Sequence, residues 1–175
     1  MYYNRKGDNG TSRIGKKVFS KTSFFIETLG QLDELVSIIG VTKLKTKGKI
    51  KIILHEIQED LFIIQARVAS KMLNSLKSAP DFGIDKTIKC ENYIDKISKE
   101  LKTIRSFIIP GSTPLSAEID YLRAKTRTVE RAFLRTNFDD QNVKKYLNRL
   151  SSLLFVIARL YGQKKGNKEF GPSYK

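Results

Sequence analysis

One cysteine and one histidine are all the soft metal ligands that this sequence offers. Cys90 alone excludes an internal disulfide and any multi-cysteine metal site, and it reads as a small structural residue. His55 has no second soft ligand beside it and reads as a half-exposed structural residue. Also missing is any apolar run approaching the roughly 18 to 20 residues of a membrane span. The opening Met1-Tyr2-Tyr3-Asn4-Arg5-Lys6-Gly7-Asp8 has no apolar core segment. No secretory signal is therefore expected, and a reducing, cytoplasmic setting is. Acidic residues are the last scarcity. Eighteen Asp and Glu face thirty-three Lys and Arg, leaving +15 at pH 7. That bias favours a polyanionic partner, either nucleic acid or a nucleotide polyphosphate. Scattered lysines are equally what surface solubility produces, so the arginines have to decide.

What is present fits a single folded domain over residues 1–175. The apolar share of 40% and charged share of 29% suffice for a hydrophobic core in a chain of this length. Residues 1–21, with three glycines and no helical period, read as an irregular lead-in. From Ser23, the apolar positions Phe25, Ile26, Leu29, Leu32, Leu35, Val36 and Ile39 recur at three and four, which predicts an amphipathic helix ending near 40–43. Gly30 inside it costs about 1 kcal/mol against alanine, which suggests close backbone packing or a ligand nearby. A second helix follows over Ile50 to Met72, then a loop over 77–85, then a third helix from Asp85 to Ile104. Pro110-Gly111 breaks the pattern, and Ser112-Thr113-Pro114 starts a fourth helix running to about 135. The fifth, about 140–162, becomes apolar almost all round, which places it centrally or at a subunit interface. Residues 163–175 read as a mobile basic tail. No strand pattern or internal repeat stands out. The fold class is therefore all-α, an antiparallel five-helix bundle.

Chemistry concentrates on the fourth helix. With Arg123 at zero on a helical wheel, Arg127 falls at about 40°, Arg131 at about 80° and Glu130 at about −20°. The apolar stripe of Ile119, Leu122, Thr126, Val129 and Phe133 is centred at about −80°, so Arg123 and Glu130 border the buried face. Guanidiniums at this spacing repel one another. They make sense beneath a polyanion, whose phosphates accept planar, multidentate hydrogen bonds. A solvated basic face is the plainer reading. The lead-in Arg5-Lys6-Gly7-Asp8-Asn9-Gly10-Thr11-Ser12 could bring backbone N–H groups to phosphate oxygens. It lacks the Gly-Lys-Ser/Thr ending and preceding strand of a P-loop, so a plain turn competes with that reading.

The segments taken in order resemble the propanediol-utilisation type of ATP:corrinoid adenosyltransferase. They are Gly7-Asp8-x-Gly10-x-Ser12, Ser20-Lys21, Glu27, Gly30, Asp33-Glu34-Leu35 and Phe107-Ile-Ile-Pro110-Gly111. Arg123-x-x-x-Arg127-x-x-Glu130-Arg131 and Tyr146-Leu-Asn148-Arg149-Leu-Ser151, with Phe155 and Arg159, complete the set. Departures from the family pattern are Arg5 for Lys, Ser112 for Gly, Asp120 for His, Ser152 for Asp and Phe25 for Arg.

The resemblance implies a ferritin-like five-helix bundle that assembles as a homotrimer with active sites between subunits. There cob(I)alamin would take the 5′-deoxyadenosyl group of ATP. By position, Arg5, Gly7, Asp8, Gly10, Ser12 and Lys21 would help bind the ATP phosphates. Arg123, Arg127, Glu130 and Arg131 would hold ATP and neutralise the leaving group, and Asn148 would contact the nucleotide. Asp33 would pair with an arginine of the fourth helix. Phe107 would pack on the lower corrin face inside a buried apolar wall. Mg²⁺ would be held through the phosphates, with no protein metal ligand set. A cobalamin reductase and an adenosylcobalamin-dependent enzyme would be its partners, with no membrane involved. Two other readings stay open: a non-catalytic binder of nucleotide or corrinoid, and a basic helical nucleic-acid-binding module. Basic runs without interleaved aromatics weigh against the last.

Overall fold

The computed structural model describes residues 3, 5–104, 106–164 and 167–174. Five helices carry it: α1 (Phe24–Leu44), α2 (Gly48–Met72), α3 (Asp85–Ser98), α4 (Pro114–Arg135) and α5 (Gln141–Gly162). The starts of α1, α4 and α5 are set by side chains that satisfy free backbone donors. Ser23 Oγ accepts from the N–H of Ile26, and Asp140 accepts from Val143. Thr113 and Ser116 cap each other's backbone N–H groups at α4, with Pro114 in the first turn.

Packing follows the apolar stripes. Leu32, Leu35 and Ile39 of α1, Leu54, Leu61 and Ile64 of α2, and Ile119, Leu122, Val129 and Phe133 of α4 are fully buried. So are Leu147, Leu150, Leu154 and Ile157 of α5. α4 lies along α5 and α1, α2 along α1, and α3 along α5. Phe82 meets Tyr146 edge-on at 5.2 Å and seats the loop before α3. Among the described residues, no helix is long and apolar enough to cross a membrane.

The structure departs from the sequence expectations at four places. The lead-in is not irregular throughout, because β1 (Thr11–Ile14) and β2 (Lys17–Ser20) form an antiparallel hairpin. Its two-residue turn starts at Gly15 with φ 56°, the Gly-X chemistry that matches strand twist. It rests on the end of α2, where Lys17 Nζ donates to the Met72 carbonyl at 3.4 Å. Strands of four residues, mostly polar, leave little alternation to read.

α3 stops at Ser98 rather than Ile104. Lys102 N–H, which a longer helix would use internally, donates instead to Gln163 Oε1 at 2.8 Å. The tail is not free over its described part. Phe170 accepts from the N–H of Ile109 at 2.8 Å, and Glu169 is buried against α5. Around Gly30 there is open space instead of close packing.

Candidate functional site

The buried stripe of α4 fixes the rotation of its polar residues. Arg123 and Glu130 are half-buried at its margin, while Arg127 and Arg131 are exposed, as the wheel expects. Arg123 Nε donates to Asp120 Oδ1 at 3.3 Å, and Arg131 Nη2 to Thr128 Oγ1 at 3.2 Å. Glu130 Oε1 accepts from Asn148 Nδ2 at 3.1 Å, joining α4 to α5. Arg127 has no acidic partner among the described residues. It borders a hollow of about 260 Å³, with Arg123, Ser151, Ser152, Phe155 and Ile94 around it. A second hollow in the same α4–α5 groove, about 310 Å³, holds Glu130, Asn148, Lys144, Lys145 and Arg149. Such a groove offers cationic hydrogen-bond donors beside an apolar wall, which suits a polyphosphate with an organic group attached.

The lead-in residues form a second, separate cluster. Lys21 donates from Nζ to the Gly7 carbonyl and from its backbone to Gly10, both at 2.9 Å. Gly10 N–H returns to the Gly7 carbonyl at 3.2 Å, with Gly10 at φ 78°. A Cβ on Gly7 would stand 3.0 Å from the Thr11 carbonyl, so the turn is tight around this glycine. Asp8 lies in the same turn, its N–H reaching the Arg5 carbonyl at 3.4 Å, and Ser12 is the second residue of β1, paired with Phe19. Arg5 stacks over Tyr3 at 5.5 Å. No hydrogen bond or ion pair among the described residues joins Gly7, Asp8, Gly10, Ser12 or Lys21 to the arginines of α4.

Two expectations differ within this chain. Asp33 is exposed and pairs with no arginine of α4. The α1–α4 seam is bridged instead by Glu27–Arg135 at 2.6 Å and by Glu34–Lys125. Asp33 follows the core residue Leu32 by one step, and about 100° of rotation takes it off the seam. Phe107 is 79% exposed, with Ile109 beside it at 52%, so no buried apolar wall surrounds it. Its segment runs over the surface between α3 and α4, and the tail covers only its backbone side. Among the described residues, no group of three or more His, Cys, Asp or Glu side chains is placed to hold a metal ion.

Sequence reasoning left one group without a role. Arg159 of α5 is 1% exposed and pairs with Asp120 of α4. Its other arm lies 2.8 Å from Glu169 Oε1, and its guanidinium sits 5.3 Å over the Phe155 ring. Asp120 thus faces two arginines. The one available signal was a lone acid in the basic tail.

The description "Cobalamin adenosyltransferase" belongs to a family whose model matches residues 2–161. The chain is 32% identical over 163 residues to a corrinoid adenosyltransferase of Citrobacter freundii, covering 90% of this chain and 93% of that one. It is 35% identical over 170 residues to a corrinoid adenosyltransferase of Mycobacterium leprae, covering 90% and 89%. Its fold superposes with a TM-score of 0.89 on a phenylalanine-to-alanine variant of a PduO-type ATP:corrinoid adenosyltransferase from Lactobacillus reuteri, complexed with cobalamin and ATP. That match has 26% identity and covers 99% of each chain.

Proposed function

Since the chain belongs to the cobalamin adenosyltransferase family, we propose that it transfers the 5′-deoxyadenosyl group of ATP to cob(I)alamin and releases triphosphate. The observation that carries this reading is Arg127, an exposed guanidinium without an acidic partner among the described residues, set beside Arg123 and Phe155 in the α4–α5 groove.

The cobalt(I) centre supplies the electron pair that forms the Co–C5′ bond. The C5′–O bond breaks, and its electrons leave on the triphosphate. Little proton transfer is required, so the protein's task is positioning and charge stabilisation. Arg123, Arg127 and Arg131 take the growing negative charge of the leaving group. The Glu130–Asn148 pair orients the nucleoside end. Mg²⁺ accompanies the phosphates, and Phe107 packs against the lower corrin face.

Arg5, Gly7, Asp8, Gly10, Ser12 and Lys21 supply further phosphate contacts from a neighbouring copy, and Asp33 pairs with an α4 arginine across the same boundary. What supports a homotrimer with shared sites is that the two clusters lie apart within one chain. Residues 1–175 act as one domain in the cytoplasm, with a cobalamin reductase upstream and an adenosylcobalamin-dependent enzyme downstream.

An anaerobic assay with reduced cobalamin and Mg-ATP tests the reading. Loss of the Co(I) absorbance with growth of a light-sensitive alkylcobalamin is expected, and no such product from the unmodified protein would sink it. Arg127→Ala and Arg131→Ala should each weaken ATP binding about 10- to 100-fold, the worth of a hydrogen bond to a charged group. Both residues are exposed, so thermal unfolding should not move. Unchanged ATP affinity in either variant would displace the phosphates from this ridge.

A further inference from the structure

We propose that Glu169 is a positioning residue for this reaction, holding the Phe107 segment in place by anchoring the C-terminal residues on buried Arg159. The inference rests on the transferase reading, which gives Phe107 its role.

Charge at the anchor is the first observation. Arg159 is 1% exposed, and the Asp120 and Glu169 side chains are 4% and 6% exposed. Asp120 is shared between Arg159 and Arg123, so Glu169 is the second carboxylate of a cluster of two arginines and two acids. Burying it still costs desolvation, which its contacts have to offset. The fold makes room for it. Gln163 Nε2 donates to Glu169 Oε2 at 3.1 Å. A Cβ on Gly162, the last residue of α5, would run into Glu169 Oε1.

What the anchor holds is the second observation. The residue after Glu169 accepts from the Ile109 N–H at 2.8 Å. Gly171 approaches so closely that a Cβ there would be 3.1 Å from the Phe107 carbonyl and 3.2 Å from Ser106 Oγ. Gln163, which supports Glu169 through its amide nitrogen, accepts from the Lys102 N–H through its oxygen at 2.8 Å. The segment carrying Phe107 is thus held near both ends by one assembly. The Phe107 backbone is fixed while its ring stays 79% exposed and free to meet a flat ligand.

On the opposite side, Asp120 accepts from Arg123 Nε at 3.3 Å, a contact in which Glu169 takes no part. Loss of Glu169 should therefore loosen the Phe107 side and leave the arginine side intact. A merely structural clasp has no reason to separate the two substrates.

Glu169→Gln tests this, because it keeps the shape and removes the charge. The KM for cob(I)alamin should rise about ten-fold, in line with losing one side of a buried ion pair, while the equilibrium ATP affinity stays within about two-fold. Amide exchange at Ile109 should quicken. Gly162→Ala, whose Cβ would displace the carboxylate and also crowd Ser112 Oγ, should give the same split. Unchanged cob(I)alamin KM in both variants, or equal losses for both substrates with a fall in Tm, would overturn the proposal. An inactive unmodified protein would sink the transferase reading itself, whereas unsplit kinetics in an active one would sink this inference alone.

Discussion

Asp120 is in the sequence simply a carboxylate near several arginines. The structure gives it two partners, Arg123 one turn away and Arg159 on the next helix. The first was legible as an i,i+3 spacing on α4. The second depends on how α4 and α5 are rotated against each other across 39 positions of chain, and no local pattern carries that. Cys90 is the opposite case. The sequence already read it as a small structural residue, and it is 4% exposed between α3 and its neighbours. Burial, more than the opposing influence of Arg149, pushes its thiol up to about 12. At pH 8 the reactive thiolate is then roughly one part in 10⁴. A disulfide reagent should label Cys90 in denaturant and only at the rate of opening in the native protein. Labelling within seconds under native conditions would mean that α3 is not seated as described.

Helices were the readable elements, because several apolar positions at a 3.6-residue period outweigh any single misleading residue. α1, α2, α4 and α5 begin and end within a few residues of their expected bounds, and Ser23 and Thr113-Pro114 supply visible starts. Where a terminus is set by a distant partner, the reading failed. Lys102 bonded to Gln163 ends the α3 region, and Ile109 bonded to Phe170 turns the tail back.

The site was legible to the same degree. The arginine ridge followed from rotation on one helix, whereas the Arg159–Glu169 contact needed the folded chain. Asp140 ties several elements at once. It caps α5 through Val143 N–H and accepts from Arg67 of α2 at 2.8 Å, while Arg67 also reaches the Pro80 carbonyl. Asp140→Ala leaves the half-buried Arg67 without its counter-charge and removes the cap. The expected loss is about 2–3 kcal/mol, from the cap and from a pair that is buried on the Asp140 side only. Urea unfolding would show it, and Asp140→Asn, which retains the cap, should lose less. Equal stability of Asp140→Ala and the parent would contradict this role.

Over the whole molecule, the scarce acids are placed where they join helices. Glu56 and Asp60 of α2 meet Lys89 and Lys86 of α3, and Glu91 of α3 meets Arg149 of α5. The excess positive charge is left over the outside and along the α4–α5 groove, where a polyphosphate would find it.

The separation of the lead-in cluster from the arginine ridge has a consequence for mixtures. If each site draws one cluster from each of two adjacent subunits, a Lys21→Ala chain and an Arg127→Ala chain carry damage on opposite halves. Either alone spoils every site. Refolded together in equal amounts and assembled at random, they should leave roughly one site in four with both halves sound. Activity returning to about a quarter of the parent would mark a shared site, and sites built within single chains would return none. Two inactive proteins would then complement each other in one tube.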